Sequence, residues 1–518
     1  MEQPWIDRAV SWFSPEAAFK RARYRAALEV LSSYDGARMG RSTEGWTTSR
    51  TDPNAAIGPD LDRLVQRSRD LTANDPHGAR ISSVIANSAV GTGITPQPAT
   101  GDDATDKIIS EEFKFWQEEC DSEGQLDFWG LQHLAVRSIV ESGASLSRRR
   151  QRRASDGLRV PYQIQLMEMD HIDRDKQESR GTAGHITQGV EFDQIGRRAA
   201  YWLFDRHPGS SGTLRSLSAD YQSRRIPAEG VVHAYRKLRP GQVHGVPWLA
   251  PVMLRMRQLG DVDEAAVVKA RIAACLALWV EQTEGPDSGL IGESKTEDGT
   301  GQRIETLRPG MIRYGKFGEK ATVISPPRDE GYDAVYKKQQ QMIAAGVDMF
   351  YAQLTGDLAD VNYSSFRAGD RDFRSAIEVF RWAFIIPMMC RPWWRGFIDT
   401  LVLQSKIQAP LYGATWTPPA FMSVDPYKDA QADELRLGTG TGNLFESIAE
   451  RGYDPRAFVA KIAEIKKLLD SLGLKFPWME GTDNAATGNN EDPKTQASMH
   501  IGTGDGGQGK PNGRGHVL

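Results

Sequence analysis

Three stretches of this 518-residue chain carry side chains whose types and spacing could do chemistry. The first is MDHIDRD at 169–175, where Asp170, Asp173 and Asp175 stand beside His171. Carboxylates at alternate positions bind hard cations, and such a set would suit a metal-dependent nuclease. Acids at the exit of a strand also build turns, and the alternating pattern that ends at Met169 favours the turn. The second is SRRRQRR at 147–153. Its Arg148, Arg149, Arg150, Arg152 and Arg153 could contact DNA phosphates or a partner, or form a hydrated loop where two strands turn. The third is GDGGQGKP at 504–511, close to a phosphate-binding loop and overlapping a formal G-x-G-x-x-G at Gly502, Gly504 and Gly507. Such loops work between a delivering strand and a receiving helix. No apolar run precedes this one, and Pro511 replaces the hydroxyl that would hold Mg²⁺. The nine histidines lack H-x-x-x-H and H-E-x-x-H spacing, and neither C-x-x-C nor G-x-S-x-G occurs. The expectation is a chain with no catalytic residue, no metal and no cofactor.

Composition narrows the class further. Lys and Arg number 64 against 68 Asp and Glu, a formal charge of −4, so no global basic excess points to tight, static nucleic-acid binding. Cys120, Cys275 and Cys390 are odd in number and widely spaced, which fits a reducing compartment rather than a disulfide framework. The first residues carry early acids and no continuous apolar core, unlike a secretory signal. The most membrane-like run, WAFIIPMMC at 382–390, is far shorter than the roughly 20 apolar residues a spanning helix needs. A soluble protein is expected.

The elements that must position these groups form an α+β, predominantly helical chain. Leu61, Leu64, Val65, Leu71, Ile81, Val84, Ile85 and Ala89 recur at helical spacing with a break at Asn74-Asp-Pro76. Further helices are predicted over 105–120 and 128–141. Residues 162–169 alternate like a strand, 189–204 read as a hairpin turning at 193–196, and 226–235 as another short strand. From 247 to 281 the pattern predicts one long helix with Pro247 and Pro251 in its first turn and a stripe of Ala266, Ala270, Ala273 and Ala277. Such a rod would span roughly 50 Å. Two strands (311–314 and 322–324) follow, then helix over 333–353, a polar segment at 355–369, helix over 373–403 with a kink at Pro387, and two or three helices over 425–472 that stop at Gly473. The tail after Trp478 is too polar to bury a core. Trp382, Trp393, Trp394 and Phe397 form an aromatic cluster read as core packing.

The polar segment holds Asp357, Asp360, Asn362, Tyr363, Ser364, Ser365 and Arg367, a hydrated and nearly neutral set. Ser364 or Ser365 could equally cap the next helix.

Three motifs in order resemble the lambda-type phage portal family. They are LDRLVQRSRDLTANDP at 61–76 with NSAVGTGI at 87–94, VHAYRKLRPGQVHGVPWLAP at 232–251, and LTGDLADVNYSSFRAG at 354–369. His244 stands where the family usually has Arg, and VDPYKDA at 424–430 and GYDP at 452–455 add a weaker likeness. The resemblance implies an N-terminal arm (1–55), a wing (56–245), a first stem helix (246–281), a clip (282–330), a second stem helix (331–353), a tunnel loop (354–369), a tunnel helix returning to the wing (370–424), a crown (425–478) and a disordered tail (479–518). It implies a ring, usually of twelve copies, in the virion at a capsid vertex. Its implied partners are double-stranded DNA, the terminase large subunit, major capsid and scaffold proteins, and head–tail connectors; assembly is expected in the host cytoplasm, without a membrane. The tunnel residues named above would line its channel. An alanine-lined rod also calls for copies of itself around a closed ring. The alternatives are a phage nuclease or maturation protease built on 170–175, or another structural virion protein such as a connector.

Overall fold

The computed structural model describes residues 44, 50–210, 222–275, 278–280, 312–314, 332–359, 361–422 and 425–474. Most of the expected arm, most of the clip with its second strand, the glycine-rich tail, Ala277 and Asp360 lie outside the described residues. The chain divides into two units, 1–424 and 425–518.

The first unit opens on α1 (Pro53–Asn74) and α2 (Pro76–Val90). Asp75 separates them and accepts hydrogen bonds from the N–H groups of His77 (2.8 Å) and Gly78 (3.0 Å), satisfying donors that the start of α2 leaves free. Asp102 and Asp127 do the same for α3 (Asp103–Glu119) and α4 (Phe128–Ser142). Ile81, Ile85 and Ala89 of α2, Phe113 and Trp116 of α3, and Leu131, Ala135 and Ile139 of α4 turn one apolar face each into the main core.

That core is closed by a three-stranded antiparallel sheet, with β2 (Ala144–Gln151) between β3 (Tyr162–Met167) and β9 (Val231–Tyr235). A five-stranded antiparallel sheet runs in chain order: β4 (Glu178–Ser179), β5 (His185–Thr187), β6 (Val190–Phe192), β7 (Arg198–Leu203) and β8 (Arg224–Pro227). The two sheets share a smaller core of Leu146, Ile172, Val190, Tyr201, Leu203, Val231 and Val243. Thr95–Pro98 (β1) pairs antiparallel with Ala414–Thr417 (β12).

The helical second half begins at α5 (Met253–Cys275), followed by β10 (Leu278–Val280), which pairs in parallel with β11 (Ile312–Tyr314). Next come α6 (Tyr332–Gly346), α7 (Tyr351–Thr355), α8 (Tyr363–Phe380), a π-helical stretch over Arg381–Cys390, and α9 (Arg391–Leu403). Trp393, Trp394 and Phe397 of α9 lie in the main core, as the aromatic spacing suggests, while Trp382 is half exposed and donates to Glu378 (3.0 Å). The second unit holds α10 (Pro426–Gly438), α11 (Leu444–Glu450) and α12 (Pro455–Ser471), and Gly473, at φ +66°, follows the end of α12.

Several sequence expectations are corrected. The long helix starts at Met253 rather than 247, because Trp248, Leu249 and Val252 turn into the core before it begins. Its 23 residues span roughly 35 Å, and Leu278–Val280 is strand, a short apolar run that fits either state. Helix over 333–353 is interrupted after Gly346, where Asp348 takes φ +60°. The strand expected at 226–235 is two strands divided by a tight turn at Ala228–Gly230. The chain is helical on both sides of Pro387, as its sequence suggests, and π turns there accommodate the missing donor.

Candidate functional site: a helix pair and the polar segment before α8

The chain reaches α5 through the turn at 238–245. Gln242 is buried there, accepting from the N–H groups of Leu238 (2.8 Å) and Arg239 (3.1 Å) while donating to the His244 carbonyl (2.7 Å). Gly245 is required by space, since a Cβ would lie 1.9 Å from the Gly143 carbonyl oxygen. The turn delivers Trp248, whose Nε1 donates to the Val347 carbonyl (3.2 Å) and whose face carries Arg236 at 4.0 Å. Arg236 also pairs with Asp348 (3.3 Å). One indole thus ties the start of α5 to the end of α6.

From that anchor the two helices run antiparallel. Arg255 donates to Gln339 (2.8 Å), and Tyr336 donates to Asp263 (2.7 Å). Burial, then the hydrogen bond and charge of Asp263, pushes the Tyr336 phenol up. Among the residues of α5 whose burial is described, Met253, Met256 and Leu259 near its start are buried; Val262, Val267 and Val268 are each more than 40% exposed, as is Val335 on α6. Of the alanine stripe of the sequence, Ala266 is half-buried and Ala270 exposed.

The expected loop of 355–369 is shorter in the structure, because Tyr363, Ser364, Ser365 and Arg367 already belong to α8. Asn362, rather than either serine, caps that helix. Its Oδ1 accepts from the Ser365 N–H (2.8 Å), and the Asn362 N–H donates back to Ser365 Oγ (3.2 Å). Asp357 accepts from the Ala359 N–H (2.9 Å) and from the Tyr351 hydroxyl (3.1 Å), bonds that in that order hold its carboxyl below the usual range. Asn362, Tyr363, Ser364, Ser365, Arg367 and the apolar Leu358 are exposed. Beneath them Phe350 meets Phe366 edge-on (5.5 Å) and Leu354 is buried. The segment therefore offers hydroxyl, amide and guanidinium groups from a packed base.

At the far end of α8, Arg381 is 2% exposed. Its guanidinium donates to the carbonyls of Ala89 (2.8 Å) and Ser88 (2.7 Å) and pairs with Glu378 (2.6 Å). Those carbonyls open the V-G-T-G turn, in which Gly93 has φ +115° and a Cβ would fall 1.6 Å from Trp129. The sequence gives no sign of this clamp, because its parts lie nearly 300 residues apart.

The arginine run is not the expected turn. Arg148, Arg149 and Arg150 are within β2, opposite Gln165, Ile164 and Gln163. Arg149 points to the other face, donating to the Pro392 carbonyl (2.8 Å) and to Asp399 (3.3 Å). Arg150 and Arg152 donate to Gln165 and Gln163, each at 2.8 Å, and Arg153 is exposed. Burial, then the like charges of Arg148 and Arg152, lowers the Arg150 pKa. Alternation along a strand has split a linear charge run into two faces.

The acids at 170–175 do not converge either. Asp170 gathers with Glu168 and His207, residues that sequence spacing did not single out, while Asp173 accepts from Ser223 (2.5 Å) and His171 contacts the Phe204 carbonyl (3.0 Å). Arg69 already fills that gathering, 2.6 Å from Asp170 and 3.2 Å from Glu168. Burial raises the Asp170 pKa, but the Arg69 hydrogen bond and the Arg69 and Arg174 charges outweigh it and hold the carboxyl low. A cation would have to displace the guanidinium. Among the described residues, no helix is long and apolar enough to cross a membrane.

Comparison with known proteins bears on this geometry. The chain is 25% identical over 474 residues to the "Probable portal protein" of Halomonas phage phiHAP-1, covering 87% of this chain and 89% of that relative. It is 19% identical over 505 residues to the "Portal protein" of Escherichia phage N15, covering 88% and 93%. With "Portal protein B" of Escherichia phage lambda it shares 20% over 335 residues, 57% of this chain and 61% of the relative. Among solved structures it is similar to a chain of "Virion of native gene transfer agent (GTA) particle" at 12% identity and TM-score 0.40, covering 75% of this chain and 92% of that one. The family model described as "Phage portal protein, lambda family" matches residues 39–381, and the chain belongs to that family.

Proposed function

We propose that this chain is one subunit of a closed ring of identical copies, twelve as the family resemblance implies, set at one capsid vertex. Double-stranded DNA is packaged and later ejected through the ring's channel. The observation that carries this reading is the α5–α6 pair. It is anchored at its base by Trp248 and leaves Val262, Val267, Val268 and Val335 exposed, apolar surface that neighbouring copies would cover. The pair and its connection correspond to the stem helices and clip, 56–245 to the wing and 425–478 to the crown. The polar segment is the channel lining: Asp357, Asp360, Asn362, Tyr363, Ser364, Ser365 and Arg367 make brief, exchangeable contacts with a passing duplex.

The ring's role is structural. ATP hydrolysis belongs to the terminase, whose large subunit docks on the ring; connectors replace it after filling, and capsid and scaffold proteins surround the wing during assembly in the host cytoplasm. The arginines of β2 serve the subunit's own packing, with Arg148 and Arg153 left as candidate partner contacts. A nuclease at Asp170 is disfavoured by the guanidinium of Arg69 already seated there.

Negative-stain imaging of the purified full-length protein tests the reading, with rings around a central channel expected. A monomer at every concentration overturns it. For the lining, Asp360→Lys with Ser364→Lys should reduce the yield of DNA-filled particles while rings still form; unchanged yields overturn the channel assignment.

A further inference from the structure

Arg198, His233 and His244 meet where β7, β9 and the chain leading to α5 come together. Arg198 donates to the Tyr201 hydroxyl (2.7 Å), His233 Nδ1 (3.2 Å), the Tyr235 hydroxyl (2.6 Å) and the Val243 carbonyl (3.1 Å). A guanidinium only donates. His233 Nδ1 must therefore accept, and its ring proton sits on Nε2. His244 Nε2 lies 2.8 Å from the Gln188 carbonyl, which only accepts, so His244 carries its proton on Nε2 and leaves Nδ1 bare. Both imidazoles are buried, at 6% and 1% exposure, with ring centroids 5.3 Å apart. Among the described residues, His233 Nε2 and His244 Nδ1 have no hydrogen-bond partner.

β7 presents Arg198 and Tyr201, and β9 presents Tyr235. The β5–β6 turn contributes the Gln188 carbonyl. Arg174 adds positive charge near His244, and its own guanidinium pairs with Asp62 of α1 and lies 4.0 Å from Asp170. Among the described residues, no carboxylate pairs with Arg198, His233 or His244.

We infer that His233 and His244 form a proton-operated joint between the five-stranded sheet and the chain leading to α5, closed when both rings are neutral and opened when they take up protons. A proton on His233 Nδ1 turns the acceptor for Arg198 into a second donor and breaks that hydrogen bond. A proton on His244 Nδ1 adds a further positive charge to the same enclosure. Opening frees residues 242–249, and with them the Trp248 anchor, without touching the exposed face of α5.

Burial, and then the Arg198 charge, holds His233 well below its usual range, and burial pushes His244 down to about 4. The sign follows from linkage. Unfolded imidazoles bind protons near about 6.5 while the buried pair does not, so stability falls as pH drops below that value. The contribution of His244 stops changing below about 4.

The test uses the full-length wild-type protein. Deuterium exchange at each histidine C2 position, read by mass spectrometry from pH 3.5 to 8, reports each ring's own titration midpoint. The expected midpoints for His233 and His244 lie at least one pH unit below free histidine, a tenfold or greater loss of proton affinity. In parallel, backbone exchange corrected for its intrinsic rate should show protection of 198–203, 231–235 and 242–249 falling at least tenfold between pH 7 and 4.5. In His233→Asn with His244→Gln, which keeps the acceptor facing Arg198 and the donor facing Gln188, that pH response should flatten. Midpoints close to free histidine overturn the inference, as does a low midpoint with unchanged protection. Both wild-type readouts stand if the double variant fails to fold.

Discussion

Asn362 is fully hydrated, yet it fixes where α8 begins. Its capping box with Ser365 satisfies donors that would otherwise face water alone. Asn362→Ala should destabilise the first turn of α8 by about 1 kcal/mol, seen as faster amide exchange over 363–368, while Asn362→Asp keeps the cap. Arg381 is the opposite case, a buried cation spanning two carbonyls and one carboxylate. Arg381→Met should cost about 3 kcal/mol, because it leaves buried acceptors unpaired, and thermal melting would register the loss. Arg381→Lys should recover only part of it, since an ammonium cannot reproduce the planar fork.

Element by element, what could be read from sequence follows from how local each cause is. The helices between about 61 and 142 were legible because a 3.6-residue apolar period and the break at Asn74-Asp-Pro76 are short-range signals. The start of α5 was not. Pro247 and Pro251 look like first-turn prolines, but the destination of Trp248 depends on Val347, 99 residues away. The arginine run misled for a similar reason. Charge predicts solvent, whereas pairing with β3 and β9 sets the faces, and Asp399 awaits Arg149 across 250 residues. Of the candidate site, the polar composition and the capping option were visible. The identity of the cap was not, since Asn and Ser compete for that place on nearly equal terms. His207 and the backbone partners of Arg381 lacked a sequence signal, whereas His233 and His244 stood within the 232–251 motif without any sign that their rings meet.

For the whole molecule, the decisive surface is the outer part of α5. Val267 and Val268 are exposed in the isolated subunit and lie beyond its buried base. Val267→Asp with Val268→Asp should therefore leave the subunit's melting temperature within a few degrees while abolishing rings in sedimentation velocity. An equal loss of subunit stability would place these residues in the fold rather than in assembly. This behaviour separates them from Arg381, where folding fails first.

In the proposed ring, the concentration of α5's described anchors in its first half, from Met253 to Asp263, has a mechanical consequence. A beam clamped at one end deflects most at its tip, and its compliance grows steeply with free length. One unsupported rod would bend under any sideways load from a moving polymer. A barrel of such beams braced flank to flank would stiffen collectively, so losing a single stave should soften the whole cylinder rather than its own sector.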